Sequence, residues 1–177
     1  MDFELPGEDD PRRAEVRAWL AAHPRPSGRD LALAGYVAPH WPRPWGLDAD
    51  PLHQLLIDAE LRAAGVSRPL NPIGIGWAGP TILHAGTEEQ KERYLLPLLA
   101  GEELWCQLFS EPGAGSDLAS LSTRAERDGD EYVVNGQKVW TSLAHWARFG
   151  ILIARTDPSA TKHKGISYFV VDMKTPG

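Results

Sequence analysis

Near residue 104 the hydrophobic pattern changes period, and that switch constrains the fold more than any other feature. Before it, apolar side chains recur at helical spacing between Pro-rich loops. After it, short apolar runs alternate like strands. Helices first and strands afterwards imply an α+β, multidomain chain, with a helical domain over residues 1–103 and an antiparallel β-domain over 104–177.

Asp10-Pro11 is an N-cap followed by proline at the first helical position, and Val16, Trp19 and Leu20 continue at helical spacing, so a helix is predicted over 11–22. Residues 24–50 hold several prolines with Trp41 and Trp45 and no steady period; they read as an ordered irregular loop anchored by its tryptophans. Asp50-Pro51 repeats the start signal for a helix with a broad apolar face that stops at Gly65. An apolar segment over 78–83 ends at Gly86, and Thr87-Glu88-Glu89-Gln90 is a capping box for a helix through about Leu99, closed by Gly101. Asp58/Arg62 and Glu89/Arg93 are opposite charges four apart, read as pairs on solvated helix surface.

Strands are predicted over 104–109, 122–126, 131–134, 138–141, 149–154 and 166–171. Asn135-Gly136 lies between two of these runs and is the preferred two-residue signal for a type I′ hairpin. The chain stops at Gly177 directly after a strand, so the sheet is expected to have open edges and one bare face, as if cut.

Several function classes find no support. The net charge of −6, with acids and bases interspersed, leaves no footprint for nucleic acid. No run of 18 uncharged apolar residues exists to span a membrane. The acid-rich first twenty residues contain neither a signal core nor a transit peptide, so a cytoplasmic protein is expected. Cys106 is the single cysteine, and the six histidines fall at no metal-ligand spacing. Gly74-Ile75-Gly76-Trp77-Ala78-Gly79 matches the dinucleotide fingerprint in letters only: Asn71-Pro72 precedes it where a strand is needed, and it reads as a helix–helix turn with close backbone approach. Lys162-His163-Lys164-Gly165 reads as a charged, solvated turn.

The informative segment is Trp105 to Asp117, where a strand runs into the loop Glu111-Pro112-Gly113-Ala114-Gly115-Ser116-Asp117. Its glycines let a ligand approach the backbone, and its N–H groups are free of any ladder. Val139-Trp140-Thr141-Ser142 adds a flat aromatic face with two hydroxyls beside it.

Together with Asp130-Glu131-Tyr132-Val133-Val134-Asn135-Gly136-Gln137-Lys138 and, upstream, Gly86-Thr87-Glu88-Glu89-Gln90-Lys91 and Tyr94-Leu95-Leu96-Pro97, these segments resemble the acyl-CoA dehydrogenase family over essentially the whole chain. The resemblance implies a helical amino-terminal domain and an incomplete middle β-domain, ending before a carboxy-terminal four-helix domain. It implies FAD as cofactor, an acyl-CoA substrate oxidised to the trans-2-enoyl-CoA, an electron-transfer flavoprotein or other acceptor, and a homo- or hetero-oligomer. By the same resemblance Gln107, Phe109 and Ser110 lie along the flavin, with the Ser110 hydroxyl bonding it. Gly115 and Ser116 line the pyrophosphate or acyl-CoA region, Ser116 contacting the CoA arm; Trp140 covers the ring and Ser142 sits near its N5 edge. The family's catalytic glutamate belongs to the last domain, so no base is assigned and this stretch alone is expected to be inactive. An acyl-CoA oxidase or flavin monooxygenase of the same fold, or a non-catalytic partner subunit, stays open at this point.

Overall fold

Capped helix starts organise the first half of the chain. In the computed structural model, which describes residues 7–176, Asp10 accepts the Arg12 N–H at 2.9 Å and opens α1 (Pro11–Ala22). Asp50 does the same for α3 (Pro51–Ala63), accepting the His53 N–H at 2.8 Å. The stretch expected to be irregular contains a short helix, α2 (Gly28–Leu33), opened by a reciprocal capping box between Ser27 and Asp30. Six residues are under two turns, too few for a period to register, so only the box could have announced it. Trp41 is buried as expected of an anchor.

The glycine run is not a turn between helices. Gly74–Ala78 forms a π-helical turn that continues directly into α4 (Gly79–Ala85), the Gly79 N–H reaching back to the Gly74 carbonyl. Pro80 explains the wider turn, because its ring has no N–H and would collide with the carbonyl four residues back in a tighter one. The expected close approach is there: a Cβ on Gly79 would lie 2.1 Å from the Trp41 ring. The Thr87/Gln90 box opens α5 (Glu88–Leu99), and Gly101 follows with φ +70°. Leu56, Ile57, Leu95, Leu98 and Leu99 form the deepest part of this unit's core, each at most 1% exposed. Buried Glu60 on α3 accepts from Arg13 and Arg17, which ties α1 to α3. Asp58 pairs with Arg68 beyond the helix end rather than one turn along it.

The chain divides into the unit Met1–Glu102 just described and a second, Glu103–Gly177. The second holds a five-stranded sheet: β1 (Trp105–Leu108), β2 (Arg124–Asp128), β3 (Glu131–Asn135), β4 (Phe149–Arg155) and β5 (Ile166–Asp172). The α+β segregation holds, and the sheet itself is mixed. β4 runs antiparallel to β5 over its whole length, parallel to β1 over 149–152 and parallel to β2 at Arg155. Since β5 occupies one side of β4, β1 and β2 share the other, and β2 takes over the ladder where β1 leaves it. The long excursion between residues 109 and 148 is what permits the parallel pairing.

The hairpin lies elsewhere than Asn135-Gly136. β2 and β3 pair with Asp128 opposite Glu131, so the two-residue turn is Gly129-Asp130, with Gly129 at φ +61°. Residues 136–141 form no strand. Gly136 is needed for a different reason: a Cβ there would fall 2.2 Å from the Thr123 Oγ1, where the two segments cross. Ala125, Leu152 and Ala154, with Leu108, Phe169 and Val171, form the apolar cluster on one sheet face. β3 is an edge strand, and its Tyr132, Val133 and Val134 are exposed. Lys162–Gly165 is an exposed 3-10 turn with Gly165 alone buried. No helix among the described residues is long and apolar enough to cross a membrane.

Candidate functional site

The site is built where β1 ends. Gln107 sits within β1, half-buried, and Phe109 and Ser110 continue past its end, also half-buried. Phe109 meets Tyr168 of β5 edge-on with ring centroids 6.5 Å apart. The chain then folds back on itself: the Glu111 N–H donates to the Ala114 carbonyl at 2.9 Å and the Ala114 N–H to the Glu111 carbonyl at 3.1 Å. Gly115 and Ser116 follow, exposed. A Cβ on Gly113 or Gly115 would meet nothing within 4 Å, so the loop faces open space. The N–H groups of Gly113, Gly115 and Ser116 have no acceptor among the described residues, a donor set suited to phosphate or carbonyl oxygens.

Trp140 reaches the same place from the other side of the excursion. The Val139 N–H donates to the Ser110 carbonyl at 2.8 Å, which seats the Trp140 segment against the end of β1. Trp140 is 88% exposed and has φ +59°. An indole left almost wholly in water, on a backbone conformation that disfavours any side chain, makes no sense as core packing. Ser142 is exposed beside it, its N–H bonded to the Trp140 carbonyl at 3.0 Å.

Sequence reasoning missed the group that organises these pieces. Glu111 is 6% exposed. Its carboxylate accepts from the Ser122 N–H (2.7 Å), the Ser122 hydroxyl (2.8 Å), the Thr123 N–H (3.0 Å) and the Lys138 ammonium (2.9 Å). Burial pushes its pKa up, but the donors on Thr123, Ser122 and Lys138 outweigh burial and hold it well below the usual carboxylate range. Lys138 also donates to the Phe109 carbonyl at 2.9 Å. The available signal was a lone acid directly after an apolar strand, facing a lone Lys before Val139-Trp140. Arg155 was missed as well; it donates to the carbonyls of Ala119 and Lys162 and so joins the segment after Ser116 to the 162–165 turn.

Residues 7–102 match the acyl-CoA dehydrogenase N-terminal domain and residues 106–177 the acyl-CoA dehydrogenase middle domain. The chain belongs to the acyl-CoA dehydrogenase family. It is 59% identical over 169 residues to the acyl-CoA dehydrogenase FadE34 of Mycobacterium tuberculosis, covering 94% of this chain and 24% of that protein. It is 40% identical to acyl-CoA dehydrogenase IpdE1 of the same organism, covering 97% of this chain and 43% of that one. Among solved structures, the ChsE4-ChsE5 complex from M. tuberculosis matches all of this chain and 49% of its own at 37% identity and TM-score 0.73. The acyl-CoA dehydrogenase from Geobacillus kaustophilus matches all of this chain and 51% of its own at 32% identity and TM-score 0.70. The chain thus spans between 24% and 51% of the length of these family members.

Proposed function

We propose that this chain contributes the amino-terminal part of an FAD-dependent acyl-CoA dehydrogenase, residues 1–103 as its helical domain and 104–177 as part of its β-domain. The enzyme would convert an acyl-CoA thioester to the trans-2-enoyl-CoA. The observation that carries the reading is Trp140: an exposed indole on strained backbone, seated against Ser110 at the end of β1. Both family segments converge there, and an isoalloxazine ring is the kind of flat apolar surface that would cover it.

FAD, when bound, supplies the acceptor for the hydride leaving Cβ of the acyl chain. The residues present fit such a group. Trp140 would cover one ring face and exclude water; Ser110 would donate its hydroxyl to the ring, with Gln107 and Phe109 alongside and Ser142 at the ring edge. The open N–H groups at Gly113, Gly115 and Ser116 would meet oxygens of the pyrophosphate or of acyl-CoA, and the Ser116 hydroxyl the CoA arm. No residue here is assigned to remove the α-proton. Assembly with a further chain accompanies this reading, supported by the ChsE4-ChsE5 complex among the matched structures, and an electron-transfer flavoprotein or other acceptor would take the electrons.

The test is the visible spectrum of the full-length protein. A flavin absorption that bleaches anaerobically on adding acyl-CoA is expected, with reoxidation by an electron-transfer flavoprotein. A colourless protein that takes up no FAD would refute the proposal, and reoxidation by oxygen with stoichiometric peroxide would move it to an acyl-CoA oxidase.

A further inference from the structure

We infer that Lys138 is a positioning residue for the flavin ring, and that the buried Glu111–Lys138 pair sets how far the Trp140 indole stands from the Ser110 hydroxyl. This rests on the reading that FAD lies against Trp140. Residues 136–141 belong to no strand, so no ladder fixes them. Nor does side-chain packing hold Trp140, a residue 88% exposed. What locates the indole is the backbone just before it.

That backbone is fastened at two consecutive residues. The Lys138 ammonium, on a side chain only 9% exposed, contacts Glu111 Oε1 and the Phe109 carbonyl, both at 2.9 Å. The Val139 N–H bonds the Ser110 carbonyl. Glu111 cannot give way, because its other bonds run to the Ser122 and Thr123 N–H groups at the entrance to β2. The constraint therefore passes from β2 through Glu111 and Lys138 to Trp140, and Ser110 lies inside the same knot. A lysine suits this place because one compact ammonium meets two acceptors that diverge, whereas the planar guanidinium of arginine fixes its donors in a fork.

A purely stabilising ion pair would look the same in the structure, so the test separates placement from stability. In the full-length protein, Lys138→Met removes the clamp, and Lys138→Arg keeps the charge and the fold but displaces the segment. Leu152→Ala, in the apolar cluster, supplies a loss of thermal stability with no role in the clamp. FAD affinity is read by fluorescence titration and the ring environment by the flavin absorption envelope. Both Lys138 variants are expected to bind FAD at least about tenfold more weakly, with a shifted envelope, while Leu152→Ala at comparable loss of Tm keeps wild-type affinity and spectrum. The inference is overturned if Lys138→Arg binds FAD with wild-type affinity and envelope, or if affinity tracks Tm identically across all three variants. A wild-type protein that binds no FAD would sink the underlying functional reading as well.

Discussion

Removing the Trp140 ring should separate cofactor binding from folding more cleanly than any other single change. Only about a tenth of the side chain is covered by protein. At about 25 cal/mol per Å² on roughly 200 Å² of indole, the fold would lose less than about 1 kcal/mol. A flavin laid on one face would cover about half of that surface, so losing the ring should cost binding about 1–3 kcal/mol, or about 5- to 150-fold in Kd. The backbone adds an internal control. Trp140 has φ +59°, a conformation that costs any residue with a Cβ about 1–2 kcal/mol and glycine almost nothing. Trp140→Gly should therefore be slightly more stable than Trp140→Ala as apo-protein, while both lose the same flavin affinity. Thermal unfolding of the apo-protein and FAD titration of the full-length variants measure the two quantities. Wild-type FAD affinity in both variants would refute the assignment, and an apo-protein destabilised by several kcal/mol would show that the indole is a packing anchor.

Ser116→Ala should raise the KM for acyl-CoA more than it lowers flavin content, because its exposed hydroxyl faces open space beyond the Glu111–Ala114 turn; flavin loss with an unchanged KM in the remaining holoenzyme would reverse that role. Within one helical turn, Gly79→Ala should lower Tm by several degrees, since its Cβ would press 2.1 Å from the buried Trp41 ring at a cost of about 1–3 kcal/mol. Gly76→Ala, with nothing within 4 Å, should be neutral or stabilising; equal shifts in the two would refute the packing argument. Glu111→Gln should cost about 3–5 kcal/mol at neutral pH by leaving Lys138 buried without its counter-charge. Because the folded-state pKa of Glu111 is depressed, its stabilisation is fully present above the unfolded value of about 4.3 and is lost as pH falls through the folded value. The gap in Tm between wild type and Glu111→Gln should accordingly narrow below about pH 4, and a gap constant down to about pH 3 would show that ionisation of Glu111 is not its source.

Local chemistry is what the sequence by itself determined. Asp10-Pro11, Asp50-Pro51 and Thr87 to Gln90 start helices because a capping side chain and the N–H groups it satisfies lie within three residues of each other. The change of period near 104, and the runs that became β1, β4 and β5, needed only alternation along one segment. The two glycine misreadings each involve a contact distant in sequence. Asn135-Gly136 has the right letters for a hairpin, yet Gly136 is claimed by Thr123 crossing over it, and the turn fell to Gly129-Asp130. At the glycine run, Pro80 acts locally on the π-helical turn, while the Trp41 ring, from far earlier in the chain, packs against Gly79 in the same backbone. Parallel pairing of β1 with β4 joins residues more than forty apart, which alternation cannot encode. The same holds for the site: the motif residues could be listed from the sequence, but whether Glu111 met Lys138 depended on the chain returning from β3 to the end of β1. A buried carboxylate and the ammonium that neutralises it are partners only in three dimensions, because it is burial, created by the tertiary fold, that makes their pairing obligatory.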